Sequence, residues 1–164
     1  MKKFLAALIS AALLLGLTAC GGTAAEGGES AAGGGFQNAV LDENGDIVIQ
    51  EADITEEAAY INYDAEGVTV QFLAIRAGDD VRLAYNTCQS CNPSPRAYFV
   101  QDGDKLVCQN CGQTFAAGNV GQGGYGCNPA AVPDAVRSDG TITIPAASAL
   151  AVASRFANWQ GPTA

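Results

Sequence analysis

The sequence contains no histidine, although it is 164 residues long. Histidine is the usual general base of hydrolases and a common metal ligand, so its absence excludes a Ser-His-Asp triad and a histidine-ligated metal site. A site for a soft metal ion must therefore be built from cysteine sulfur, with carboxylates as the other available donors.

Basic residues are also scarce. Eight Lys and Arg stand against 17 Asp and Glu, for a formal net charge of −9, and Lys2 and Lys3 belong to the N-terminal leader. Binding to a phosphate backbone needs a basic face, so this composition excludes a nucleic acid as partner. Acidic pairs such as Asp79-Asp80 are expected on the solvated surface.

The sequence also lacks an apolar run long enough to cross a bilayer. The longest, residues 4–17, is shorter than the roughly 20 residues that a membrane-spanning helix needs. It follows Lys2 and Lys3 and leads into Leu17-Thr18-Ala19-Cys20, which is typical of a bacterial lipoprotein signal peptide. We therefore expect lipid attachment at Cys20 and an extracytoplasmic protein anchored to the cell membrane. The alternative is an ordinary cleaved signal with Cys20 unmodified.

Composition divides the chain into three segments. Residues 1–19 form the predicted lipoprotein signal peptide. Residues 20–35 form a lipidated tether rich in Gly, Ala and Ser, which predicts a flexible coil. Residues 36–164 form the predicted metal-binding domain.

The folded segment is predicted to be mostly β (α+β), a small antiparallel sheet with two CxxC turns and a C-terminal helix. Turn signals at 64–67, 77–80 and 102–104 separate short β-favouring runs. A glycine-rich loop is expected over 112–129, and Pro145 opens a helix-forming stretch in which Phe156 and Trp159 face the core. The expected strands cover residues 47–49, 59–63, 68–75, 81–85, 97–100, 105–107 and 141–144.

What the sequence does contain is two CxxC pairs, Cys88/Cys91 and Cys108/Cys111, separated by sixteen residues. This spacing is typical of a four-thiolate metal site. Each pair should lie on a tight turn whose following residue takes a positive φ, and Asn92 and Gly112 are of the types that tolerate it. Zinc, iron or an iron–sulfur cluster would accept the same four thiolates.

Two alternatives to this metal site stay open. Outside the cytoplasm thiols tend to form disulfides, and a CxxC pair can also be redox-active. Pro93 and Pro95 make residues 92–95 a poor helix start, which argues against a thioredoxin-like arrangement. Cys127 lies in a glycine-rich run and is either an additional ligand or a small buried residue.

Three stretches of the chain read A-Y-N-T-C-Q-S-C-N (84–92), A-Y-F-V-Q-D-G-D-K-L-V-C-Q-N-C-G (97–112) and G-C-N-P (126–129). They resemble the membrane iron–sulfur containing protein FtrD-like family. The resemblance spans roughly residues 58–160 and implies an extracytoplasmic iron–sulfur module associated with an iron permease and an electron or iron carrier. It carries Cys88, Cys91, Cys108 and Cys111 over as ligands and implies electron transfer or iron handling rather than an enzyme. A structural zinc site on a binding module and a thiol–disulfide oxidoreductase are the alternatives.

Overall fold

The computed structural model describes residues 34–124 and 126–164. The predicted signal peptide, the lipid-attachment residue Cys20 and nearly all of the predicted tether lie outside the described residues.

The described residues form strands and one short α-helix, α1, which covers Ala146–Val152 and continues as a 3₁₀-helix over Ala153–Phe156. Further 3₁₀ turns cover Glu51–Asp53 and Ala117–Asn119. The strands are β1 (Gly35–Asn38), β2 (Val40–Leu41), β3 (Ile47–Gln50), β4 (Ala59–Ala65), β5 (Val68–Ala77), β6 (Asp80–Cys88), β7 (Phe99–Asp102), β8 (Lys105–Cys108), β9 (Thr114–Ala116), β10 (Pro129–Ala131), β11 (Val136–Ser138) and β12 (Thr141–Ile144).

These strands form three small sheets. A five-stranded sheet has the order β1-β4-β5-β6-β10, a four-stranded sheet the order β11-β12-β3-β2, and a three-stranded sheet the order β7-β8-β9. Every pair is antiparallel except β1 and β4, which run parallel. The predicted fold class, a mostly antiparallel β domain with a C-terminal helix, is confirmed.

The predicted hairpins have the turn chemistry that their sequences suggested. Strands β4 and β5 are joined by Glu66 and Gly67, which both have positive φ, at 55° and 88°. The Asp64 carboxylate accepts a hydrogen bond of 2.6 Å from the Gly67 N–H and so closes this turn. Between β7 and β8, Gly103 has a φ of 59°. Turn residues therefore set the register of both hairpins.

Strand β5 is buried on both of its faces. Phe72 and Ala74 point into a core shared with the four-stranded sheet and the C-terminal helix. Leu73 and Ile75 point the other way, into a second core that also contains Cys88. Successive strand residues face opposite sides, so an unbroken apolar run is what a doubly covered strand requires.

Two expectations about local structure are corrected. The predicted loop 112–129 contains strand β9 and a 3₁₀ turn, because the main chain of Thr114–Ala116 pairs with β8. The helix after Pro145 is shorter than its composition suggested. Its 3₁₀ continuation places Phe156, which is buried, three residues before Trp159, whose indole N–H donates to the Asn86 carbonyl at 3.0 Å. Trp159 lies beyond this 3₁₀-helix, but its backbone N–H donates to the Phe156 carbonyl at 3.0 Å and the two ring centroids are 5.7 Å apart, so the rings pack together against the core.

Candidate metal centre

The first cysteine turn begins at the last residue of β6. Cys88 is buried, and its carbonyl accepts a hydrogen bond from the Asn92 N–H at 3.1 Å, which closes the turn. The Cys91 N–H points at the Cys88 sulfur at 3.4 Å. The Asn92 side chain donates to the Thr87 hydroxyl at 3.0 Å and to the Arg155 carbonyl at 2.6 Å. The turn is thereby fixed to the C-terminal 3₁₀-helix.

One prediction about this turn is wrong. Asn92 does not have a positive φ; it precedes a cis peptide bond to Pro93 instead. A residue before proline is steered towards extended backbone, and that restriction prevails here over the tolerance of asparagine for the left-handed region.

The second cysteine turn begins at the last residue of β8. Cys108 is buried, and its carbonyl accepts a hydrogen bond from the Gly112 N–H at 2.8 Å. Gly112 has a φ of 73°, as predicted. Cys111 is exposed to solvent. The second turn therefore has the same closing hydrogen bond as the first, but it lies at the surface.

Asn86 connects the two turns. It is buried, and its side-chain oxygen accepts a hydrogen bond from the Phe99 N–H at 2.8 Å while its amide nitrogen donates to the Phe99 carbonyl at 3.2 Å and to Gln71 at 2.7 Å. Phe99 lies directly opposite Cys108 in the β7–β8 pair. This amide thus sets β7, and through it Cys108, beside the strand that ends in Cys88. The sequence analysis missed this role, because Asn86 carries no motif of its own.

A third segment contributes Cys127. The Gln89 N–H donates to the Asn128 carbonyl at 2.9 Å, and the Ser90 hydroxyl donates to the Gly126 carbonyl at 2.5 Å. The first cysteine turn therefore holds both neighbours of Cys127.

Gly121 lets this segment approach β6 closely. A Cβ atom at Gly121 would overlap the carbonyl oxygen of Leu83, so the approach requires glycine. The glycine run that the sequence showed next to Cys127 thus has a steric reason.

The five thiols meet in one cluster. The Cys127 sulfur lies 3.0 Å from that of Cys111, 3.1 Å from that of Cys88 and 3.9 Å from that of Cys91, while the Cys91 and Cys108 sulfurs are 3.8 Å apart. All five cysteines are free, and these separations are far longer than the roughly 2.05 Å of a disulfide bond.

Four of these sulfurs form a compact set. Those of Cys88, Cys91, Cys108 and Cys127 lie within 4.8 Å of one another and can hold a metal ion. The structure brings together the five cysteines predicted as certain or possible metal ligands, and Cys127, which no CxxC pair contains, contacts thiols of both turns. Its place in this set could not be derived from cysteine spacing.

Hydrogen bonding and burial divide the thiols electrostatically. Burial opposes ionisation of Cys88, but hydrogen bonds from the Cys127 thiol and from the N–H groups of its turn outweigh it and lower the pKa of Cys88. The hydrogen bond to Cys127 is the main cause that lowers the pKa of Cys111 to about 7. Burial raises the pKa of Cys108 and of Cys127, and it raises that of Cys91 to about 12. Cys88 and Cys111 are therefore the thiols that ionise most readily, and the thiolate is the form that binds metal.

The segments of the sequence that contain the five cysteines have no charged side chain. Residues 83–95 and 106–133, which contain all five cysteines, have no Asp, Glu, Lys or Arg. Within these segments, compensation of thiolate charge is therefore left to the backbone N–H groups of the turns and to any cation that the cluster can hold.

Residues 54–156 match the family described as membrane iron-sulfur containing protein FtrD-like. This chain belongs to that family. The match covers both CxxC pairs and Cys127, so all the cysteines of the cluster lie in the part that defines this FtrD-like domain. No curated protein and no solved structure matches the chain. Within the described part of this FtrD-like chain, no helix is long and apolar enough to span a membrane.

Proposed function

We propose that this FtrD-like protein binds iron through the thiolates of Cys88, Cys91, Cys108 and Cys127. It would act in electron transfer or iron handling at a membrane surface, without turning over a substrate of its own. The observation that carries the proposal is the convergence of four sulfurs, from three separate segments, to within 4.8 Å of one another.

Two of the sulfur separations match those around a single ion, whereas the separation of Cys88 from Cys127, at 3.1 Å, is shorter. Metal–sulfur bonds of 2.3 Å in a tetrahedral site place the sulfurs about 3.8 Å apart. The Cys91 sulfur lies 3.8 Å from that of Cys108 and 3.9 Å from that of Cys127. A cluster of several irons and sulfides would need its four thiolates farther apart than one ion does. The geometry therefore favours one iron with four thiolates, and the iron itself is supported by the description of the family.

Zinc is the second candidate, because the same tetrahedral geometry and the same four thiolates suit it equally well. A bound zinc would be structural, and the protein would then be a binding module rather than an electron carrier. Zinc does not change its oxidation state, so the two candidates differ in a measurable property.

The proposed location depends on the leader sequence. Residues 1–20 have the pattern of a lipoprotein signal, and lipid attachment at Cys20 would hold the domain at the outer face of the cell membrane. There the domain would meet an iron permease or an electron carrier, the partners that the resemblance to the family suggested.

Metal analysis of the full chain, purified anaerobically from membranes in detergent, tests the proposal. We expect about one iron per chain with four thiolate ligands, a coloured protein and no acid-labile sulfide. Iron together with sulfide would keep the iron function but replace the single ion by a cluster. A colourless protein with zinc would overturn the redox role. A metal-free protein with a reversible two-electron thiol couple would identify an oxidoreductase instead.

A further inference from the structure

Five thiols converge where four complete a tetrahedral site, and the fifth is the exposed one. The compact set consists of Cys88, Cys91, Cys108 and Cys127, and Cys111 lies outside it although its sulfur is 3.0 Å from that of Cys127. We infer that Cys111 is the exchange ligand of this centre, the thiolate through which a soft metal ion enters and leaves the four-sulfur site. This inference rests on the proposed metal-binding function.

Accessibility distinguishes Cys111 from the other four thiols. Cys88 and Cys108 are buried, and Cys91 and Cys127 are half-buried, whereas Cys111 is exposed. The next residue, Gly112, has open space on the side where a Cβ atom would lie. An incoming ion or a partner's ligand can therefore reach the sulfur of Cys111 without any movement of the core.

Cys127 connects the exposed thiol to the interior set. Its sulfur is in contact with that of Cys111 on one side and with that of Cys88, at 3.1 Å, on the other. If Cys111 replaced one interior thiol, the resulting set of four sulfurs would share Cys127 with the first set. Moving from one set to the other requires a change of one ligand only.

The exchange step balances without any oxidant. The Cys111 sulfur forms a bond to the ion, one interior thiolate releases its bond, and the proton of the Cys111 thiol passes to the departing thiolate. No electron is transferred. For release, a partner's thiolate forms a bond to the ion as Cys111 gives up its own, and the ion passes to the partner.

The surface near Cys111 fits a partner that is recognised by its soft ligand rather than by its charge. Residues 106–133 carry no charged side chain, while the chain as a whole has 17 acidic residues. An acceptor with a thiolate can therefore approach Cys111 without meeting acidic residues of this segment, which would repel it.

Cobalt(II) provides the test, because its absorption spectrum reports tetrahedral thiolate ligation. The full chain in detergent is loaded with cobalt anaerobically, and transfer of the ion to excess EDTA is timed for the natural protein, Cys111→Ser and Cys91→Ser. Cys91→Ser changes the second cysteine of the other turn and is the matched comparison. Gln113→Ala, at an exposed residue beside the second turn, is the control that should change neither spectrum nor rate.

We expect Cys111→Ser to keep one cobalt per chain and the four-thiolate spectrum. Its transfer to EDTA should be slower by about tenfold, which corresponds to about 1.4 kcal/mol on the barrier. Cys91→Ser removes a ligand of the interior set, so Cys111 has to complete its four thiolates, and the ion should pass to EDTA faster than it does from the natural protein. Loss of the four-thiolate spectrum in Cys111→Ser would make Cys111 a resident ligand, and an unchanged transfer rate would make it a bystander; either result overturns the inference.

A second measurement does not depend on the folding of any variant. In the cobalt-loaded natural protein, iodoacetamide should modify one thiol of the cluster, and mass spectrometry should locate it at Cys111. Modification of Cys91 or Cys127 in place of Cys111 would contradict the inference. If the natural protein binds no cobalt at all, the proposed metal-binding function fails rather than the assignment of Cys111.

Discussion

The two cysteine turns are alike in sequence and in main-chain hydrogen bonding, yet they differ in what surrounds them. Both begin at the last residue of a strand, and the closing hydrogen bonds to the carbonyls of Cys88 and Cys108 are 3.1 and 2.8 Å long. The second cysteine of the first turn is half-buried, whereas Cys111, at the same position in the second turn, is exposed. The motif thus determines the turn but not the accessibility of its second sulfur.

The difference arises from the contacts that each turn makes. Asn92 of the first turn reaches Thr87 and the carbonyl of Arg155, while Ser90 bonds the segment that bears Cys127. In the second turn Asn110 accepts a hydrogen bond from the Ser94 hydroxyl at 2.7 Å, at an exposed site. Both cysteines of the first turn are thus enclosed by the fold, whereas the second turn has a buried first cysteine and an exposed second one. The proposed exchange at Cys111 depends on this difference.

The largest effect on stability is expected at Asn86, whose side chain couples the two turns. Asn86→Ala removes the side chain that pairs with both main-chain groups of Phe99, and it leaves buried polar groups without partners. We expect the free energy of unfolding to fall by about 3 kcal/mol. Urea denaturation of the reduced protein in the presence of EDTA measures this, and cobalt affinity should fall in parallel because the turns lose their alignment.

Asn38→Ala, at an exposed position of β1, is the control and should change stability little. An equal loss in both variants would show that Asn86 does not couple the turns.

A smaller effect compares the turns directly. Asn92→Ala deletes the hydrogen bonds to the Thr87 hydroxyl and the Arg155 carbonyl, and we expect it to cost about 2 kcal/mol of unfolding free energy. Asn110→Ala, in the second turn, loses the exposed hydrogen bond from Ser94 and the side-chain hydrogen bond to the Cys91 thiol, and it should cost less, about 1 kcal/mol. Thermal and urea unfolding of the two variants measures both losses. A larger loss of unfolding free energy in Asn110→Ala than in Asn92→Ala would contradict this comparison of the turns.

The smallest effect is expected in the ionisation of Cys91 and Cys111, the second cysteine of each turn. A lowered pKa means that the thiolate persists to lower pH, so alkylation of Cys111 in reduced, metal-free protein should rise through pH 7, its pKa being about 7. The pKa of Cys91 is raised to about 12 by burial, so this thiol should stay protonated and slow to react until far higher pH. Mass-spectrometric mapping after iodoacetamide pulses at stepped pH measures both. In Cys111→Ser the phase near pH 7 should disappear; its persistence would assign that phase to another thiol.

Much of the fold follows from local sequence, because short antiparallel hairpins are set by their turns. Asp64-Ala65-Glu66-Gly67 and Asp102-Gly103-Asp104 predicted two hairpins that the structure contains. The parallel pairing of β1 with β4 could not be predicted, since it joins residues more than twenty apart without a turn signal. Strand β9 was missed because three residues are too few to show an alternating pattern.

The sequence predicted that cysteine sulfurs form the candidate site, but not how those sulfurs are arranged. The spacing of Cys88, Cys91, Cys108 and Cys111 indicated a thiolate site, because two CxxC turns at this separation are typical of four sulfurs that bind one metal centre. The direction of the Cys127 side chain depends on glycine dihedrals that no motif encodes. The exposure of Cys111 depends on what packs over each turn, which is a property of tertiary structure alone.

The double burial of β5 bears on the order in which this protein is assembled. The residues of its two cores lie mostly outside the cysteine turns, so burial of apolar side chains can drive folding before any ion arrives. Small zinc modules without such cores stay unfolded until they are metallated. Here maturation can be divided into two stages: the chain can fold first, and the four sulfurs can take up an ion afterwards.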